Sequence, residues 1–311
     1  MSAPLAEPRL AGVVVHWRNE AELAELLAAW PRDPRFELVV VDNGSSGEFP
    51  TLPPGARRID SKGNLGFAGG VNAGVAATSA DLVLILNPDA RPLPGALDAL
   101  LAGFAAHPEA AGLAPRLRGT DGALQHRWQL RPLPSAGRLL LQAFFLPGAS
   151  GPRDEPATGT PVEQPAAAAL ALRRRVFAEA GGMDTAFFPA WFEDVDLARR
   201  LRDRGARLLY WPTAEFVHGL GSSVPRLGYG RFLWIYNRNL TRYLARHHGD
   251  FAAALAGPLI AAGALLRLLL LPLRRPTRAA TRAEAARGLL ATAAGALSGW
   301  RRPQALADAA P

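Results

Sequence analysis

Two carboxylates, Asp42 and Asp89, stand at or just beyond the end of a short apolar run, and three more, Glu193, Asp194 and Asp196, follow a pair of aromatic residues. In Asp42-Asn43-Gly44-Ser45-Ser46, the Asp42 carboxylate can accept the N3–H of uracil or thymine; cytosine lacks that proton. An Asx-type turn ending a strand accounts for the same residues. Asp89, in Asn87-Pro88-Asp89, suits a hard divalent cation that also takes diphosphate oxygens, or else closes a strand-ending turn. The run Trp191-Phe192-Glu193-Asp194-Val195-Asp196 places acids at a helix start, where each is stabilised by about 0.3–1 kcal/mol. The aromatic pair adds a partly desolvated setting, in which a carboxylate can be tuned into a general base. His218, ahead of Gly219-Leu220-Gly221-Ser222-Ser223, is either a structural histidine or a metal ligand.

A glycine-rich stretch, Gly63-Asn64-Leu65-Gly66-Phe67-Ala68-Gly69-Gly70-Val71-Asn72, enters a helix. Glycines let backbone approach a ligand, and helix N-termini favour anions; close helix–sheet packing is the alternative use. The spacing matches neither the dinucleotide GxGxxG pattern nor a phosphate loop, because no lysine follows.

These residues need elements to hold them. The pattern predicts strands at Leu10–Val15, Glu37–Val41, Arg57–Asp60, Asp81–Leu86 and Ala206–Tyr210. Helices are predicted from Asn19 (with Glu22 as its capping-box partner), over Phe67–Thr78, from Pro94, near Arg173–Ala180, over Glu193–Arg204 and over Leu227–His248. Residues 118–165, rich in Gly and Pro without a period, read as a long irregular connection. Alternating strands and helices imply an α/β fold with a mostly parallel central sheet flanked by helices. Ligands of such sheets gather at the carboxyl ends of strands, which is where Asp42 and Asp89 stand.

The five segments occur in the order and rough spacing of the family 2 glycosyltransferases, and the chain resembles their rhamnosyltransferase and galactofuranosyltransferase-like branch over about residues 10–245. The specific parts are GNLGFAGGVNAG, LNPDA, and GGMDTAFFPAWFEDVDLARRLRDRG followed by VHGLGSS. The resemblance implies a GT-A fold that binds a nucleotide-diphosphate sugar and a divalent cation, Mg2+ or Mn2+. It implies Asp194 as catalytic base, with His16, Asp42, Asn64, Gly66, Asn87 and Asp89 around the donor nucleotide. Asp89 and His218 fall at the metal, and Trp191 and Glu193 around the sugar or acceptor. The chain departs from the family pattern in places: Asn87 replaces the first acid of the DxD-type motif, Arg18 a commoner asparagine, and Met183 a usual phenylalanine. Ala166–Ala169 stands where a glycine often faces the acceptor.

The expected reaction is an inverting, one-step transfer. Rhamnose from dTDP-rhamnose is the first reading of the donor, and a galactofuranosyl or other hexosyl UDP-sugar the second. A sugar nucleotidyltransferase is disfavoured, because His16-Trp17-Arg18-Asn19 stands where a glycine-rich basic loop would follow the first strand. A non-catalytic nucleotide-sugar-binding scaffold is the remaining rival, opposed by the joint presence of Asp89, Asp194 and His218.

The bulk composition sets the partners. Of 311 residues none is cysteine, which excludes disulfides and thiolate metal sites and suits a reducing compartment. The net charge of +8 is concentrated in residues 251–311, where eight arginines face Glu284 and Asp308 alone. A near-neutral body with a basic, apolar tail points to an anionic membrane surface and away from nucleic acid. Phe251–Leu266 is uncharged for sixteen residues, and Arg267 interrupts before Leu268–Leu271. A span needs roughly 20 apolar residues. The expectation is therefore a catalytic domain over residues 1–250 and a shallowly inserted helical tail over 251–311, with a packed helical subdomain or a homo-oligomer contact as the alternative. Arg274–Arg287 would lie on headgroups, and the acceptor would be a lipid-linked or other saccharide. No apolar run precedes Leu10, so the chain is expected in the cytosol, peripheral to the inner face of the plasma membrane.

Overall fold

The computed structural model describes residues 9–45, 47–219, 227–273, 276 and 279–301. Ser46, the Leu220–Ser223 end of the VHGLGSS motif, and Arg274, Arg275, Arg278, Arg302 and Asp308 of the tail lie outside the described residues. The chain divides into two compact units. The first comprises Met1–Pro132, Ser150–Thr185 and Asp194–Leu220; the second comprises Leu133–Ala149, Ala186–Glu193 and Gly221–Pro311.

The first unit is built on a mixed sheet. Its strands are β1 (Leu10–His16), β2 (Phe36–Asp42), β3 (Ala56–Asp60), β4 (Leu82–Leu86), β5 (Ala90–Pro92), β6 (Ala110–Arg118), β8 (Pro161–Val162), β10 (Ala169–Arg173) and β11 (Arg207–His218); β7 (Leu130–Arg131) and β9 (Gln164–Pro165) pair separately. The order is β3-β2-β1-β4-β10-β6-β11-β5, with β8 on β11. Neighbours among β3, β2, β1 and β4 run parallel, as do β6 and β11, while β10 is antiparallel to both β4 and β6. Successive side chains of a strand point to opposite faces. Val14, Leu38, Val40, Leu84 and Leu86 accordingly pack with Leu23, Leu26, Trp30, Leu97 and Phe104 on one face. Val13, Val15, Val83 and Ile85 pack with Val71, Val75, Phe177, Leu197 and Leu201 on the other. Both faces are covered, so the strands read as continuous apolar runs.

The structure corrects four expectations. Asn19 does not cap the helix Glu20–Ala29 with its side chain; its Oδ1 accepts from the Trp17 amide and from His16 Nδ1. Strands β6 and β10 escaped the periodicity because alanine, which favours helix, recurs in both and a glycine and a proline interrupt β6. The small residues are needed there: a Cβ on Gly112 would stand 2.5 Å from the Leu172 side chain and 2.7 Å from the Ala171 carbonyl oxygen. The strand at Ala206–Tyr210 runs on to His218 across an irregularity between Trp211 and Glu215. Residues 118–165 are also more regular than their composition implies, with helices His126–Gln129 and Ala136–Ala143 and strands β7, β8 and β9.

The second unit is helical: Ala136–Ala143, Tyr229–His248, Asp250–Leu270 and Arg282–Leu297. Residue 250 falls at the junction of two of these helices, and both belong to this unit. The small residues of Asp250–Leu270 explain its apolar character on every face. Ala256, Ile260, Ala261, Gly263 and Ala264 are buried within the unit, while Phe251, Leu255, Leu265, Leu266, Leu269 and Leu270 remain exposed. Close approach brings the helices together, with Gly257 against the Ala296 carbonyl and Gly230 against Gly288. Arg267, mid-run, lays its guanidinium over the Phe145 ring and donates to the Phe145 carbonyl at 2.8 Å, so its charge leaves the apolar face.

Candidate active site

At the carboxyl end of β4, the chain turns from Leu86 through Asn87-Pro88-Asp89 into β5. β5 pairs antiparallel with the end of β11, placing His218 opposite Ala90. The register of that short pairing sets the site: His218 Nε2 lies 3.5 Å from Asp89 Oδ1, and the Gly219 amide donates to the Asp89 carbonyl at 2.9 Å. Both side chains are largely buried.

Gln125 determines which nitrogen of His218 points at Asp89. Its Nε2 donates to the His218 carbonyl at 2.9 Å, so its Oε1 is the acceptor for Nδ1–H at 2.8 Å. Trp128 stacks on the ring with centroids 5.3 Å apart. In neutral His218 the Nε2 lone pair therefore faces a carboxylate oxygen. Two acceptors at that separation suit a cation, and a histidine oriented through its other nitrogen is the usual support of a metal ligand. Among the described residues no cluster of three or more His, Asp or Glu side chains could hold a metal. Asp89 and His218 by themselves would supply two ligands to a cation, and its remaining positions would fall to other oxygens. Neither Gln125 nor Trp128 carried a sequence signal, since both lie in the stretch that shows no period.

Asp194 stands in the first turn of the helix Glu193–Asp203 and is partly exposed. Its Oδ1 accepts from the Val195 amide at 2.8 Å, and its Oδ2 receives a long contact of 3.4 Å from the Ala167 amide. The adjacent Ala168 carbonyl accepts from the Asn87 amide at 2.9 Å. The Ala166–Ala169 segment thus touches both Asp194 and the turn that carries Asp89.

The other members of the acidic run serve differently. Asp196 is fully buried and pairs with Arg200 at 2.8 Å; Arg200 also donates to the carbonyls of Ala180 and Gly182. That ion pair fastens the helix to the glycine turn. Asn72 completes the fastening by exchanging two hydrogen bonds with the Met183 backbone, at 2.8 and 2.9 Å. Glu193 is buried and, with Trp191, belongs to the second unit. There Trp191 and Phe192 take positive φ angles of 72° and 76°, costly for non-glycine residues. Trp191 packs edge-on against Phe232, and Phe192 against Tyr236 and Tyr243. Asn239, fully buried, donates to the carbonyls of Phe187, Ala190 and Trp191 and so holds this conformation.

At the end of β2, Asp42 is buried, with Oδ2 paired to Arg58 at 2.5 Å and Oδ1 accepting from the Ser45 amide at 3.0 Å. Arg58 lies over the Phe49 ring, and His16, fully buried, meets that ring edge-on. Asn43 and Asn64 interlock: Asn43 Nδ2 donates to Asn64 Oδ1 at 2.8 Å, Asn43 Oδ1 accepts from the Leu65 amide, and Asn64 Oδ1 accepts from Gly66. The later glycines of this motif serve packing, because a Cβ on Gly70 or Gly74 would stand 2.7 or 2.3 Å from Val15 or Val13.

A mixed α/β sheet covered on both faces by helices, with Asp89 after β4 and His218 at the end of β11, has the architecture of the GT-A fold. Two solved structures share the fold: the mannosyltransferase PcManGT from Pyrobaculum calidifontis in complex with GDP-Man and Mn2+ (TM-score 0.53, 18% identity, covering 94% of this chain and 88% of that one), and GalNAc-T7 with UDP, GalNAc and Mn2+ (TM-score 0.59, 13% identity, covering 83% and 51%). The family described as "Glycosyl transferase family 2" matches residues 13–177. The N-acetylglucosaminyl-diphospho-decaprenol L-rhamnosyltransferase of Mycobacterium tuberculosis is 31% identical over 254 residues, 74% of this chain and 76% of that protein. The Pre-mycofactocin glycosyltransferase of the same species is 30% identical over 215 residues, 66% of this chain and 42% of that protein. The chain belongs to glycosyl transferase family 2, in its rhamnosyltransferase branch, and is a glycosyltransferase.

Proposed function

We propose that this enzyme transfers rhamnose from dTDP-rhamnose to a hydroxyl of a lipid-linked saccharide, with inversion. The carrying observation is the Ala167–Ala168 segment, whose amide reaches Asp194 and whose carbonyl holds the Asn87–Asp89 turn. Base and leaving-group sites are thereby tied to neighbouring residues. Asp194 accepts the proton of the acceptor hydroxyl as its oxygen bonds to the anomeric carbon. The bond from that carbon to the diphosphate breaks with its electron pair, and the nucleoside diphosphate departs. Asp89 and His218 would hold a divalent cation, which when bound neutralises charge on the diphosphate. Asp42, with Asn43 and Asn64 beside it, takes the base end of the donor. His16, Gly66 and Asn87 shape that pocket through the backbone, and Trp191 and Glu193 serve the acceptor side. The decaprenol-linked acceptor in the name of the mycobacterial relative supports the lipid-linked class.

A donor panel with Mn2+ tests this reading. dTDP-rhamnose should give the largest rise in thermal unfolding temperature and the fastest nucleoside-diphosphate release. A preference for UDP-galactofuranose or another UDP-hexose would replace the donor assignment; no donor binding at all would leave only a scaffold.

We also place the second unit on an anionic membrane surface at the cytoplasmic side. Asp250–Leu270 is long and apolar enough to cross a membrane by length and composition, with a mean hydropathy of 1.9, and one third of that window is buried. The exposed leucines of this helix, with Leu273, Leu290 and Leu297 beyond it, support lying on the surface, with Arg282 and Arg287 toward headgroups. The full chain should float with phosphatidylglycerol vesicles, and Leu269→Glu with Leu273→Glu should abolish flotation. Wild-type chain that stays unbound at low salt, or doubles its mass instead, would assign these leucines to self-association.

A further inference from the structure

The helix Tyr229–His248 contains four arginines and no acidic residue. Arg231, Arg238 and Arg242 recur at spacings of seven and four, so they share one face. Among the described residues none of the three pairs with a carboxylate, and the neighbouring segment 220–226 contains no acid. Glu284, an acid of the same unit, spends its oxygens on the amides of Tyr229 and Ala280. Arg238 is half-buried. Its partners are neutral: the carbonyl of Phe188, the side-chain oxygen of Asn239 at 3.2 and 3.1 Å, and the Trp234 ring at 5.0 Å. Burial pulls its guanidinium down to about 10, with Arg242 adding repulsion. A cation withdrawn from water without an anion is costly unless an anion arrives.

Arg238 and Arg242 stand one turn apart, about 6 Å along the axis. Two long side chains one turn apart can converge on the oxygens of one diphosphate, and guanidinium forks match phosphate oxygens. We infer that Arg238 and Arg242 recognise the diphosphate of a lipid-linked acceptor. The inference rests on the lipid-linked reading of the acceptor given above.

The test uses the full chain with nucleoside diphosphate and Mn2+ saturating, so that the donor pocket is filled, and titrates farnesyl diphosphate as the probe. Arg242→Gln, an exposed position, should weaken farnesyl diphosphate binding by about tenfold. Arg238→Gln should weaken it further, with partial recovery in Arg238→Lys. Flotation with phosphatidylglycerol vesicles should not change, and in turnover the acceptor KM should rise while the donor KM holds. Unchanged farnesyl diphosphate binding in Arg242→Gln overturns the inference. So does a parallel loss of vesicle binding, which would assign the arginines to lipid headgroups at large. Farnesyl diphosphate carries no sugar and is not turned over. Binding of this probe without transfer to any lipid-linked saccharide would therefore sink the proposed reaction and leave the arginine site standing.

Discussion

Replacing Asp194 with asparagine should lower turnover by about 10²–10⁴-fold, the range ascribed to a positioned general base, while the protein stays folded and binds donor as before. The reason for the intact fold is local. Asparagine keeps one side-chain oxygen, which can continue to accept from the Val195 amide at the helix start. The Ala167 contact is long, and its loss costs little. What asparagine cannot do is take a proton from the acceptor hydroxyl. Steady-state kinetics with a donor-binding measurement on the same preparation would check this. A large fall in kcat with an unchanged donor Kd is the expected pattern. Turnover within about threefold of wild type would remove Asp194 from the role. Asp196→Asn is the informative contrast, because Asp196 is fully buried against Arg200 and its loss strands a buried guanidinium. That variant should show its defect in unfolding temperature rather than in kcat.

The second large effect is expected at the Asp89–His218 pair. Asp89→Ala removes the carboxylate that faces His218 Nε2, and activity should fall to the detection limit at Mn2+ concentrations that saturate the wild type. Gln125→Leu probes the same site from behind. It removes the group that fixes the tautomer of His218, and should weaken metal affinity by about 10–100-fold without touching a ligand. Calorimetric titration of Mn2+ in the presence of nucleoside diphosphate reads both variants. Full wild-type turnover in excess chelator would sink the cation assignment.

Asp194, Asp89 and His218 are legible in the sequence as candidates, and their company, Gln125 included, is not. The apolar runs at Leu10–Val15, Leu38–Val41 and Leu82–Leu86 determined strands covered on both faces, because the length and composition of a run are local properties of the chain. The same runs determined where Asp42 and Asp89 emerge, at strand ends. The order of the five motifs determined the family. The central pair of small-residue strands was hidden, since Ala110–Arg118 and Ala169–Arg173 owe their state to the space between neighbours.

Tertiary structure alone decided the rest. Asp89 meets His218 only because β11 continues past Trp211 and pairs with β5, a register that no local pattern records. Gln125 and Trp128 reach His218 from a stretch without periodicity. Asp194 and Asp196 are alike in sequence, two residues apart on one helix. Packing leaves the first partly open beside Ala167 and buries the second against Arg200. Composition could mark Asp250–Leu270 as apolar. Only the neighbouring helices decide which of its faces is spent on alanine and glycine contacts and which leucines remain exposed.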